Sequence, residues 1–147
     1  MSGHSPRLKI LLVDDSEDDI LMARAVFEHL GSPHDLETLS GAGQALDYLK
    51  CSGKYAGRKP VLPDLMLLDI HMPVMDGFAL LLAIKADPAL KKIPVIMLSS
   101  SCAHSDITRS FESGAASYIT KPGSLEGYKN LMSNFGNYWL TVSALPQ

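Results

Sequence analysis

A chain of 147 residues has room for one sizeable hydrophobic core and not for a second domain of ordinary size. Its 46% apolar and 20% charged residues are the balance of a globular chain, not a disordered one. The net charge of −3, from 13 Lys and Arg against 16 Asp and Glu, speaks against a basic nucleic-acid binder.

In chain order, the polar stretch Met1–Leu8 is a tail, and Lys9-Ile10-Leu11-Leu12-Val13 is a continuous apolar run that ends at Asp14-Asp15. Ser16 stands three residues before Asp19, the spacing of a helix N-cap. Ile20, Ala23, Phe27 and Leu30 then recur at helical spacing until Gly31. Leu36 to Leu39 reads as a weak strand, and Ala42, Ala45, Leu46 and Leu49 form a second helical stripe. A polar loop from Ser52 to Pro63 leads to Leu65-Met66-Leu67-Leu68, the most apolar run, which stops at Asp69. A third helix fits Phe78 to Ala86, closed by Asp87-Pro88. Pro94 to Leu98 is a fourth strand ending at Ser99-Ser100-Ser101, followed by a helix over Asp106 to Glu112 with Gly114 as its stop. Ser117 to Thr120 is a fifth strand ending at Lys121-Pro122, and a last helix runs from about Leu125 to Val142.

Strands that are apolar throughout belong in a parallel sheet covered on both faces. The expected fold is therefore α/β: a doubly wound (βα)5 three-layer sandwich, flavodoxin-like, with strand order 2-1-3-4-5. Its ligand crevice lies at the carboxyl ends of the strands. The two cysteines, Cys51 and Cys102, make neither a metal motif nor a disulfide framework, which suits a reducing cytoplasm. No run reaches the ~18–20 apolar residues of a membrane span, so no membrane partner is expected.

The strand ends collect reactive groups on one edge. Asp14 and Asp15 follow strand 1, Asp69 follows strand 3, Ser99 closes strand 4 and Lys121 follows strand 5. Clustered carboxylates repel and resist ionising, a conflict that a divalent cation removes. Hard oxygens in an incomplete cage suit Mg²⁺, which keeps several waters and shares a phosphoryl oxygen. Lys121 and the Ser99 hydroxyl are placed to hold the other phosphoryl oxygens. The edge reads as a site that takes a phosphoryl group onto a carboxylate.

Four segments carry a resemblance: Leu11-Leu12-Val13-Asp14-Asp15, Leu67 to Gly77 (LLDIHMPVMDG), Pro94 to Ser99 (PVIMLS), and Tyr118-Ile119-Thr120-Lys121-Pro122. Together they resemble the receiver domain of two-component response regulators, over essentially the whole chain from Lys9. The resemblance implies a single receiver domain over residues 9–147 with no output domain and no enzymatic turnover of its own. It implies Asp69 as the phosphoacceptor, with Asp14, Asp15, Asp69 and the backbone carbonyl of His71 around Mg²⁺. It further implies Lys121 as the phosphate-pairing lysine, Ser99 as the switch hydroxyl, Tyr118 as the switch aromatic, and a cis peptide between Lys121 and Pro122. The Gly53-Lys54-Tyr55 loop, Ile84 to Pro88, Ser99-Ser100-Ser101 and the ending Tyr138-Trp139-Leu140 are similar to the stand-alone regulators of phytochrome kinases. That likeness implies a sensor histidine kinase of phytochrome type as partner. In that subgroup the switch hydroxyl is commonly Thr, here Ser99.

Two rival readings use the same edge. A Mg²⁺-dependent phosphohydrolase with an aspartyl nucleophile usually carries a second acid two residues on, where this chain has His71. A flavin carrier needs a phosphate-cradling loop after strand 1, and the acidic run Asp14 to Asp19 would repel phosphate. Finally, Leu125, Tyr128, Met132, Phe135, Trp139 and Val142, extended by Leu131, Tyr138 and Leu145, give the last helix an apolar arc of roughly 160°. That is wider than a core-facing stripe needs. With Tyr128, Phe135, Tyr138 and Trp139 as anchors, the arc predicts a homodimer through this helix.

Overall fold

A computed structural model describes residues 8–29 and 35–137. Five parallel strands stand in the order β2-β1-β3-β4-β5, as the sequence pattern predicts. They are β1 (Lys9–Val13), β2 (Asp35–Leu39), β3 (Leu65–Leu68), β4 (Val95–Ser99) and β5 (Ser117–Thr120). The helices between and after them are α1 (Glu17–His29), α2 (Ala42–Lys50), α3 (Gly77–Ala86), α4 (His104–Glu112) and α5 (Leu125–Asn137).

The continuous apolar strands divide their side chains between two cores, because successive residues of a strand point to opposite faces. Ile10, Leu12, Leu65, Leu67, Ile96 and Leu98 pack on one face against Ala23, Val26 and Phe27 of α1 and Tyr128 of α5. Leu11, Val13, Met66, Leu68, Val95 and Met97 pack on the other, against Ala42, Ala45 and Leu49 of α2 and Phe78, Leu81 and Ile84 of α3. Both faces are dry, which is why no polar residue interrupts β3.

The sheet register sets the functional edge. Val13 pairs with Leu68, so Asp14 and Asp69 emerge side by side. Hydrogen bonding continues one residue past the strands: Asp14 N–H donates to Leu39 O (3.0 Å), Asp69 N–H to Val13 O (2.9 Å), and Lys121 N–H to Ser99 O (2.7 Å). The three side chains therefore start from fixed backbone.

Several expectations need correction. Helix α4 begins at His104, two residues before the predicted start, because its cap residue Ala103 carries no side-chain acceptor to mark the boundary. Helix α3 begins at Gly77, where Asp76 accepts a hydrogen bond from Ala79 N–H at 2.9 Å. The loop Ser52–Pro63 holds a short 3₁₀ turn, Gly53–Tyr55, ordered by Arg58, which lies over the Tyr48 ring at 3.7 Å and donates to Tyr48 O. Among the described residues no peptide bond is cis, so Lys121–Pro122 is trans. Trans is the lower-energy form by about 0.5–1 kcal/mol unless tertiary structure demands otherwise, and Lys121 reaches its carboxylate partners with that bond trans.

Tyr128 is not a surface anchor. It is 1% exposed, seated in the core between α5 and α1, where the sheet has not yet run out beneath the helix. Tyr138, Trp139 and the side chain of Phe135 lie outside the described residues.

Candidate functional site

Four of the predicted site residues meet at the carboxyl edge of the sheet: Asp14, Asp15, Asp69 and Lys121. Asp14 is 1% exposed. Its Oδ1 accepts a hydrogen bond from Ser16 N–H at 2.9 Å. Its Oδ2 is buried and pairs with the Lys121 ammonium at 2.7 Å. Asp69 is buried beside it, and Asp15 lies exposed at the rim. One carboxylate oxygen from each of Asp14, Asp15 and Asp69 falls within a 4.8 Å cluster.

The electrostatics follow from this crowding. Burial, reinforced by the Asp14 charge, pushes the Asp69 carboxyl up to about 6, against the opposing pull of Lys121. Burial also raises Asp14, again against Lys121. Burial alone would lower the Lys121 ammonium, but its hydrogen bonds to Asp14 and Asp19 and their charges outweigh that and hold it above its ordinary value. One lysine thus balances only part of the negative charge. Three carboxylate oxygens converging within 4.8 Å, with one lysine beside them, are the donor set that a hard divalent cation completes. The residues present fit Mg²⁺.

The expected switch residues are also adjacent. Ser99 is fully buried, and its Oγ accepts from Ser101 N–H at 3.1 Å. Among the described residues that leaves its O–H without an acceptor. The half-buried Tyr118 hydroxyl donates to Ser101 O at 2.7 Å, so one short loop is tied to both switch positions. The Ser101 hydroxyl in turn donates to Asp106 Oδ2 at 2.7 Å, and the exposed His71 imidazole stands 3.9 Å from the same oxygen. His71 thus turns towards α4 with its side chain.

Sequence reasoning placed three further residues outside the site. Gly77 passes so close to the backbone after β3 that a Cβ there would lie 2.2 Å from Asp69 O, a contact only glycine avoids. Its N–H donates to Ile70 O at 2.7 Å, closing the loop over Asp69. Val74 holds a left-handed conformation (φ 70°) with its side chain fully exposed, a costly state for a β-branched residue. Asp19, read from sequence as part of a helix start, reaches back to Lys121 Nζ at 2.8 Å. The motif around Asp76-Gly77 was visible in the sequence, but the close approach was not.

Residues 10–132 match the response regulator receiver domain family. The chain belongs to that family. The receiver is 33% identical over 147 residues to Response regulator Rcp1 of Synechocystis sp., covering 99% of each chain. It is 35% identical over 137 residues to the probable methanogenesis regulatory protein FilR2 of Methanothrix harundinacea, covering 93% of this chain and 86% of that one. Among solved structures, the phosphorylated cyanobacterial phytochrome response regulator RcpA superposes with a TM-score of 0.88 at 35% identity, over 97% of this chain and 100% of that one. The Mn²⁺-bound form of Rcp1 superposes with a TM-score of 0.85 at 32% identity, over 95% and 99%. That relative binds a divalent cation, and this chain carries a carboxylate cluster able to hold one.

Proposed function

We propose that this receiver is a stand-alone phosphorylation switch that takes a phosphoryl group from a phytochrome-type sensor histidine kinase onto Asp69. The observation that carries the reading is the placement of Asp69. It is a buried carboxylate at the end of the most apolar strand, flanked by Asp14 and facing the Lys121 ammonium at 3.4 Å. The pairing with a phytochrome-type kinase is supported by chain-long similarity to Rcp1 and RcpA.

In the transfer, the N–P bond of the kinase phosphohistidine breaks, the imidazole leaves with the electron pair, and a P–O bond forms to an Asp69 oxygen. The chain contributes position and charge, since phosphoryl transfer asks for little covalent help. Asp14, Asp15, Asp69 and the His71 carbonyl would hold Mg²⁺, which would supply charge neutralisation for the phosphoryl oxygens. Lys121 donates to one of those oxygens. Ser99, whose O–H is uncommitted among the described residues, donates to another. Drawing Ser99 inwards pulls on Ser101 N–H, and the Ser101 carbonyl carries the Tyr118 hydroxyl. The α4–β5 face is the element that this local charge biases. It is suited to move, because the one residue that α4 itself buries is Ser110. We also infer a homodimer through the last helix, whose Leu125 is exposed, a state that light scattering reads directly.

Phosphotransfer from a purified, autophosphorylated phytochrome-type kinase tests the pairing. Label should reach this protein within seconds and reach it far more slowly from an unrelated histidine kinase. Equal transfer from both kinases would remove the phytochrome assignment while leaving the receiver reading intact.

A further inference from the structure

The Lys121 ammonium has three N–H donors and three carboxylate neighbours, and it does not treat them alike. Asp69 Oδ1 is 3.4 Å away, beyond a good charge-assisted hydrogen bond. Asp14 Oδ2, at 2.7 Å, is a buried partner of the ammonium within the carboxylate cluster itself. A second short contact, a hydrogen bond at 2.8 Å, goes to Asp19 Oδ2. Asp19 is held in place for this. Its own N–H donates to Ser16 Oγ at 3.3 Å in the first turn of α1, while Lys121 is fixed from behind by its N–H bond to Ser99 O. Asp19 is outside the acidic cation cluster.

We propose that Asp19 is a resting position for Lys121, which competes with the phosphoryl group for the lysine and so sets how fast Asp69 is phosphorylated. The inference rests on the reading of Asp69 as phosphoacceptor. Asp19 does not touch the transferred group; it is a positioning residue acting through Lys121. With acetyl phosphate as donor, the bond from phosphorus to the acetate oxygen breaks, acetate leaves with the electron pair, and a P–O bond forms to Asp69. Charge on the three transferring oxygens grows beside Lys121, whose donors are already shared with Asp14 and Asp19, so Asp19 competes with those oxygens for the ammonium. A carboxylate partner in the resting state therefore adds to the barrier, by the weight of one partly exposed ion pair.

The measurement is the initial rate of phosphoryl incorporation, by intact-protein mass spectrometry, with acetyl phosphate and Mg²⁺. Asp19→Asn, which keeps the size and removes the charge, should speed incorporation on the order of fivefold. Asp19→Glu, which restores a carboxylate, should return the rate to near that of the wild type. Removing a negative charge could also help any anionic donor approach, so the same change is made in a Lys121→Ala background. There Asp19→Asn should have little effect. An unchanged or slower rate in the single variant, or the same gain without Lys121, overturns the proposal. A second readout needs no phosphorylation: the side-chain ammonium ¹⁵N resonance of Lys121 in the metal-free protein should shift or broaden in Asp19→Asn. An unmoved resonance would show that Asp19 does not hold the lysine. If the wild type takes no label while that resonance moves, the reading of Asp69 fails and the lysine contact stands.

Discussion

Replacing Asp69 by Asn should make the metal-free protein more stable, although it removes a group at the centre of the site. The Asp69 carboxyl is raised from 3.8 to about 6, chiefly by burial and then by the Asp14 charge. At about 1.4 kcal/mol per pH unit, keeping it ionised in the folded state costs about 3 kcal/mol. The folded protein binds this proton more tightly than the unfolded chain does. The penalty is therefore complete above about pH 6, fades as pH falls towards 3.8, and vanishes below that. Asparagine fills the same space without the charge, so Asp69→Asn should gain about 1–3 kcal/mol at pH 7.5 in EDTA. Thermal unfolding followed by circular dichroism would show this as a rise in Tm of roughly 2–12 °C, given about 2–4 °C per kcal/mol for a chain of this size. The difference between the two proteins should shrink steadily between pH 6 and pH 4. A variant no more stable than the wild type at pH 7.5 would refute the argument from crowding. So would a difference that does not change with pH.

Two further outcomes follow from the loop between β3 and α3. Gly77→Ala would bring a methyl group to 2.2 Å from Asp69 O, so the loop must shift; stability should fall by about 3 kcal/mol and the rate of phosphorylation with it, and a fully active, stable variant would show the loop to be pliant. Val74→Gly relieves a left-handed conformation at an exposed position with no packing to lose, and should raise stability by about 1 kcal/mol in urea unfolding; a loss would mean that Val74 makes contacts in solution.

The strand order and the acidic edge were legible because both come from short-range rules. A run such as Leu65 to Leu68 can be covered only on both faces, and a parallel sheet puts every strand's carboxyl end on one edge. The motif Leu67 to Gly77 then marked Asp69. What the pattern missed depends on distance or on absent signals. Helix α4 starts without a capping side chain, so its first residues looked like loop. Cys51 ends α2 in the left-handed conformation usually left to glycine, and gave no stop signal. Tyr128 fell in an aromatic stripe whose inner and outer edges cannot be told apart from periodicity alone; only packing against α1 places it in the core. The bond from Lys121 to Asp19 joins residues 102 apart in sequence, and nothing in the run of acids after Asp14 singles out Asp19. The crowding that raises Asp69 was expected from composition of the edge, and its strength required the burial.

The proposed phosphoacceptor role of Asp69 requires a divalent cation at the carboxylates beside it. Intact-protein mass spectrometry after incubation with acetyl phosphate tests it most directly. One phosphoryl mass should appear on the wild type with Mg²⁺, and none in EDTA or on Asp69→Asn with Mg²⁺. Full labelling of Asp69→Asn, or labelling of the wild type that is indifferent to EDTA, would contradict the account.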